Sequence, residues 1–183
     1  LTDLDSAIGD ADHGTNMNRG MQAVIAKLQS AAEISAILKQ TAMTLISTVG
    51  GSAGPLYGTL FLQMATSTAG KMELTLSDWT AAFDAGVNGV IARGKSAPGD
   101  KTMLDALVPA LDALKQANAN GSSLADALNQ SAQAAATGRA APLPLLAKKG
   151  RASYLGERSI GHQDPGATSA ALLLLALADT VRA

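Results

Sequence analysis

No cysteine occurs among the 183 residues, which excludes disulfides and thiolate metal sites and fits a reducing compartment. Aromatics are nearly as scarce, at 3% of residues against 47% hydrophobic residues overall. The core must therefore be built from Ala, Leu, Ile, Val and Met, a mixture that favours close-packed helices over stacked sheets. Charge of one sign is also missing. The formal net charge is −1, so there is no electrostatic case for nucleic acid or a membrane surface. The most apolar run, residues 170–178, is far shorter than the ~20 residues a membrane-spanning helix needs. The opening Leu1-Thr2-Asp3 has neither the basic nor the apolar region of a signal segment. It also lacks Met, so the start of a first helix is expected to precede it. Length and these absences together predict one cytoplasmic domain over residues 1–183.

What the sequence does have is acid, crowded near its start. Asp5, Asp10 and Asp12 stand at offsets of five and seven, interleaved with Gly9 and Gly14. Those offsets do not share a helix face. The spacing predicts a helix end carrying Asp5 and a tight loop that folds Asp10 and Asp12 back towards it. Three close carboxylates repel one another unless a cation sits between them, and hard oxygen donors select Mg²⁺ or Ca²⁺ over zinc or copper. Capping and turn aspartates are the competing explanation. An EF-hand is excluded, because Met21 stands where that loop requires a bidentate Glu.

Periodicity beyond the loop predicts helices only. Asn16 is expected to cap a helix running to about Ser30, with Met17, Met21, Val24, Ile25 and Leu28 inward. A second helix is expected over 32–49, burying Ile34, Ile37, Leu38, Met43, Leu45 and Ile46. Gly50-Gly51-Ser52-Ala53-Gly54 ends it, and Pro55 suits the first turn of a third helix to about Thr68. Ser77 is expected to cap a helix to about Arg93. Asp100 is expected to cap one to about Ala119, bent at Pro109. Ser123 and Asp126 form a capping box for a helix to about Thr137. Residues 139–166 show no periodicity and carry Arg139, Lys148, Lys149, Arg151 and Arg158, which marks a functional or disordered loop. A last helix is expected over 167–181.

Gly89-Val-Ile-Ala-Arg-Gly94-Lys95-Ser96 matches the P-loop pattern letter for letter. A P-loop needs a strand before it and a helix after it, whereas residues 79–93 read as helix and Pro98-Gly99 follows. The turn at Gly50–Gly54 is the better phosphate cradle, since small residues let amides approach oxygens beside a helix start. A plain helix-to-helix turn is equally compatible with it. Three carboxylates and a nucleoside diphosphate carry about six negative charges, and two Mg²⁺ would cancel about four. Arg151 could neutralise another in bidentate fashion. His162 reads as a loop hydrogen-bonder, and His13 as a contact to phosphate or base.

Several of these stretches recur in order in one family. Gly9-Asp-Ala-Asp-His-Gly14, Ser52-Ala-Gly-Pro55, Arg93-Gly-Lys95, Pro98-Gly-Asp-Lys-Thr-Met103, Gly150-Arg-Ala-Ser-Tyr-Leu-Gly-Glu-Arg158 and Gly161-His-Gln-Asp-Pro-Gly166 resemble the L subunit of phosphotransferase-system-dependent dihydroxyacetone kinase. The resemblance covers essentially the whole chain. It implies a barrel of eight antiparallel helices with a nucleotide at one end. It also implies tightly bound ADP with two Mg²⁺, rephosphorylated in place by a phosphohistidine-bearing M subunit and passing the group to dihydroxyacetone on a K subunit. Phosphoenolpyruvate is then the ultimate donor. Carried over by motif, Asp5, Asp10 and Asp12 are the metal ligands. His13, Gly14, Thr15, Asn16, Gly51, Ser52, Ala53, Gly94, Met103, Arg151, Asp164, Pro165 and Gly166 line the nucleotide site, with Arg151 acting in transfer. A non-catalytic Mg²⁺-nucleotide regulatory module, a metal-stabilised structural bundle and the nucleotide domain of a self-contained ATP-dependent kinase stay open at this point. So does a homodimer.

Overall fold

The computed structural model describes residues 1–28 and 33–182. Among these the chain forms eight α-helices and one 3-10 helix, with no strand. The all-α expectation holds. No described helix is long and apolar enough to cross a membrane. The chain divides into two compact units, the first from Leu1–His13 and Ser96–Ala183, the second from Gly14–Lys95.

The second unit holds α2 (His13–Lys27, apart from His13), α3 (Ile34–Thr48), α4 (Ala53–Ser67) and α5 (Leu76–Gly94). Its helices meet at glycines. A Cβ on Gly54 would lie 2.2 Å from the Val49 carbonyl, and one on Gly58 would lie 2.2 Å from Ile46 Cγ1. Advance along α4 is retreat along α3, so the two are antiparallel. Gly86 of α5 meets Leu60 and Met64 in the same way. Tyr57, Leu45, Leu60 and Phe83 fill the space between, each at most 2% exposed. Truncating such a side chain to Ala costs about 2–5 kcal/mol.

Several local expectations give way here. α2 opens at His13, so Asn16 lies inside the helix instead of capping it; the expected end near Ser30 falls outside the described residues, as does the expected start at residue 32. Thr75, not Ser77, caps α5, through a reciprocal box in which the Asp78 amide donates to Thr75 Oγ1 and the Thr75 amide donates to Asp78 Oδ2. α4 starts at Ala53, two residues before Pro55. Ile25, Leu28, Met43 and Ile46 are 42–65% exposed; small residues such as Ala42 and Thr44 take the inward positions of α3. α5 is helical through Gly94 and closes on Lys95 at φ 47°, so the P-loop reading is excluded by the backbone itself.

The first unit holds α1 (Thr2–Ile8), α6 (Leu104–Ala119), α7 (Leu124–Ala140), a 3-10 helix (Arg151–Ser159) and α8 (Pro165–Arg182). α6 runs through Pro109. Proline has no N–H, so the Asp105 carbonyl loses its partner in the helix ladder. Gly138 of α7 packs against that very carbonyl: a Cβ there would lie 2.2 Å from it. Ser123 caps α7 as expected, accepting from the Asp126 amide at 3.1 Å. Asp100 does not cap α6. Asp105, inside the helix, accepts from the Thr102 amide at 2.7 Å and from the Gly99 amide, and so fixes the turn before it.

The stretch expected to lack structure, residues 139–166, is ordered from side chains that local periodicity cannot register. Ser159 Oγ accepts from the Ala147 amide at 2.9 Å and donates to the Gly156 carbonyl at 2.7 Å. Ile8, Ala147, Ala152 and Leu155 form a small apolar cluster joining this segment to α1.

Candidate functional site

Asp5 sits on the buried side of α1, while Asp10 and Asp12 are exposed. The loop between them turns through Ala11 at φ 60°, a left-handed conformation that costs a non-glycine residue about 1–3 kcal/mol. That turn brings one carboxylate oxygen from each aspartate within 4.8 Å of the others. Gly9 makes the approach feasible, since a Cβ there would lie 2.0 Å from Asp5 Oδ1. Asp5 Oδ2 accepts from the amides of Asp12 at 2.9 Å and His13 at 3.0 Å. Asp5 therefore caps α2 from seven residues upstream, and this is why α2 starts earlier than Asn16. Three hard oxygen donors so close form a set that suits Mg²⁺ or Ca²⁺.

Arg151, first residue of the 3-10 helix, reaches Asp10 Oδ2 with Nη2 at 2.9 Å. Its side chain is 65% exposed, so the pair contributes little to stability and leaves the guanidinium accessible to an anion.

His13 links the acidic loop to α8, its Nε2 lying 2.9 Å from Ser169 Oγ. Ser169 Oγ also lies 3.0 Å from the Gly166 carbonyl, so one hydroxyl bridges the His13 ring and the first turn of α8. Burial lowers the pKa of the ring, against the opposing pull of Asp5 and Asp12.

Met103, Asp164 and Gly166 come together at the start of α8. Asp164 caps this helix, accepting from the Ala167 amide at 2.6 Å. A Cβ on Gly166 would lie 3.0 Å from Asp164 Oδ2 and 3.6 Å from the Met103 amide. Burial pushes the Asp164 carboxyl up to about 7; the Ala167 amide opposes the rise and the Asp105 carboxylate adds to it. Pro165 is the first residue of α8. His162 is exposed.

The remaining expected residues belong to the second unit. Asn16 is buried, accepts from Arg19 Nη2 at 2.6 Å, and lies against Gly50. Arg19 Nε also donates to the Thr48 carbonyl at 2.9 Å, so Arg19 ties Asn16 to the glycine turn. Gly51 turns at φ 65° with open space around its Cα, and Ser52 is exposed. Gly54 is needed for packing, whatever the turn binds. Gly14 and Thr15 lie in the first turn of α2, Ala53 opens α4, and Gly94 ends α5.

Four contributors were not foreseen: Lys101, Asp105, Ser169 and Arg19. Lys101 lies inside a stretch already singled out, and a lysine beside Gly and Asp reads as surface. Its burial is set by carbonyls 42 to 58 residues away, whereas Asp105 follows that stretch and fixes the turn before α6.

Comparison with known proteins bears on this geometry. The sequence matches the DAK2 domain family over residues 7–179. It is 50% identical over 180 residues to the ADP-binding subunit DhaL of the PEP-dependent dihydroxyacetone kinase of Escherichia coli K12, covering 97% of this chain and 86% of that one. It is 42% identical over 183 residues to the ADP-binding subunit of the PTS-dependent dihydroxyacetone kinase of Lactococcus lactis, covering 99% and 87%. Human triokinase/FMN cyclase shares 36% identity over 185 residues, which is 32% of that longer protein. The crystal structure of the dihydroxyacetone kinase of C. freundii aligns with a TM-score of 0.75 at 24% identity, over 98% of this chain and 30% of that one, and bears on the fold alone. The acidic loop, the arginine that meets it and the all-helical frame thus sit in a chain that belongs to the DAK2 domain family and is homologous to the ADP-binding subunit of PEP-dependent dihydroxyacetone kinase.

Proposed function

We propose that this chain is the nucleotide-carrying subunit of a dihydroxyacetone kinase. It keeps ADP with two Mg²⁺, accepts a phosphoryl group from a phosphohistidine carrier (M) subunit, and delivers it to dihydroxyacetone on a K subunit in the cytoplasm. One observation carries the reading. Three carboxylate oxygens lie within 4.8 Å of one another, with a guanidinium 2.9 Å from one of them, in a homologue of an ADP-binding kinase subunit. In the related structure of C. freundii the ligands are AMP-PNP and Mg²⁺.

Asp5, Asp10 and Asp12 are the residues that would hold Mg²⁺, which when bound neutralises phosphate charge. Phosphoryl transfer asks a protein mainly for positioning and electrostatic stabilisation. Asp5 meets the first demand, because two backbone amides fix its carboxylate before any ligand arrives. Arg151 meets the second: a guanidinium exchanging Asp10 for a phosphate oxygen supplies a charge-assisted, bidentate contact. Within the first unit, His13, Met103, Asp164, Pro165 and Gly166 are assigned to the nucleotide. The single family match across both units supports reading them as one nucleotide-binding domain.

Native mass spectrometry of the purified chain, followed by transfer assays with and without the M and K subunits, tests the reading. The expected result is co-purifying ADP and metal, with transfer only when both partners are present. Robust phosphorylation of dihydroxyacetone from free ATP by the isolated chain would replace it with a self-contained kinase.

A further inference from the structure

Lys101 is 1% exposed, and its backbone is left-handed at φ 64°. Both are costly. An ammonium taken out of water loses its hydration, and left-handed backbone is strained for a non-glycine residue. The structure offsets this with all three protons of the ammonium. Nζ donates to the carbonyls of Ser159 at 2.6 Å, Leu145 at 3.0 Å and Leu143 at 3.3 Å. Three donors on a single atom are particular to an ammonium. Those carbonyls bracket the segment that carries Arg151, at its start and at the end of the 3-10 helix. The Gly161 amide returns to the same Leu143 carbonyl at 2.8 Å, and Ser159 Oγ ties down Ala147. Arg151 itself, at the edge of this braced loop, pairs with the exposed Asp10 among the described residues.

We propose that Lys101 is a positioning residue for phosphoryl transfer: its buried ammonium clamps residues 143–159 so that Arg151 is presented at the Asp5–Asp10–Asp12 cluster. The inference rests on the kinase-subunit reading and adds to it a residue that touches neither nucleotide nor metal. Burial lowers the pKa of Lys101, and the Asp164 charge opposes that change.

The test uses the full chain in four forms: Lys101→Met, Ser159→Ala, Arg151→Ala, and Lys101→Met with Arg151→Ala. In limited trypsin digestion, Lys101→Met is expected to be cut after Lys148, Lys149 and Arg151 at least about tenfold faster than wild type, as loss of buried hydrogen bonds opens the segment locally. Cutting after Lys71 in the second unit should not change. Ser159→Ala, a milder change in the same brace, should open the same sites and carries this arm if Lys101→Met does not fold. In the assay reconstituted with both partner subunits, Lys101→Met should slow transfer about as much as Arg151→Ala, and the double variant should be no slower than Arg151→Ala alone. Losses that multiply in the double variant, or an unchanged trypsin pattern in Lys101→Met and Ser159→Ala, overturn the proposal. Absence of transfer in wild type overturns the kinase reading instead, and the clamp then stands or falls on the trypsin pattern.

Discussion

In the second unit, α3, α4 and α5 are held by apolar contact at glycine seams, whereas the first unit buries Asp5, Lys101, Asp105 and Asp164, of which Lys101 joins segments 42 to 58 residues apart. Seams of small residues need only shape, and their cost when disturbed is steric. Buried charges need partners, and their cost when disturbed depends on pH and ligand. The chemistry follows this division: the aspartate cluster, Arg151 and His13 all lie in the unit that tolerates charge inside it.

The largest effect should come from breaking a seam. Gly54→Ala places a Cβ 2.2 Å from the Val49 carbonyl, and backbone cannot move aside as a side chain can. We expect a loss of about 3 kcal/mol in chemical denaturation, independent of pH between 5 and 8. A loss that varied with pH would erase the distinction between the units.

The proposed Mg²⁺ ligands Asp5, Asp10 and Asp12 lie in the first unit. At about 100 times Kd, Mg²⁺ and ADP should add roughly 2.7 kcal/mol to wild type, a melting shift of about 5–10 °C for a chain this size. Asp12→Asn should remove most of that shift while its metal-free form melts no lower than metal-free wild type. Full retention of the shift would reduce the acidic loop to a turn.

Asp164 sharpens the contrast through pH. Its carboxyl is near 7 when folded, against 3.8 for a free aspartate. A raised folded value means that the native state binds the proton more tightly. Its contribution is fully present below about pH 4 and is lost as pH rises through 7. Between pH 5 and 8 wild type should therefore lose on the order of 2 kcal/mol relative to Asp164→Asn. His13, whose pKa is lowered, pulls in the other direction, but it is common to both proteins and cancels. Equal slopes would show that Asp164 is not buried in solution.

Arg151→Ala should slow transfer at least tenfold, or about 1.4 kcal/mol, without lowering the melting temperature, because its ion pair is exposed. The smallest effect is expected at Met43→Gln on the outer face of α3, within about 0.5 kcal/mol.

The difference between the units also explains what the sequence could reveal. Helices α3 to α8 were legible because hydrophobic spacing repeats within each of them, and the acidic loop because its residues lie close together in the chain. Caps were legible only when local: Ser123 was found, while Asp5, which caps α2 across a loop, was assigned a different role. The brace at Lys101 was invisible, since its partners lie 42 to 58 residues away. Met43 and Ile46 were misplaced for the opposite reason. Their spacing suits an inward face, but Ala42, Thr44 and Leu45 occupy it, and Ile46 lies over Gly58 while staying 44% exposed.

The hydrogen bonds of the acidic loop span two very different lengths of chain. Asp5 reaches its two amides across seven and eight residues, whereas His13 reaches Ser169 across 156. Loop-closure entropy makes the first kind of contact quick to form and the second slow. During refolding the aspartates should therefore gather early, as a local motif, and remain open on the α8 side until the last helix docks. Three adjacent carboxylates would capture divalent cations weakly before α8 docks, so magnesium should already accelerate refolding when nucleotide is absent.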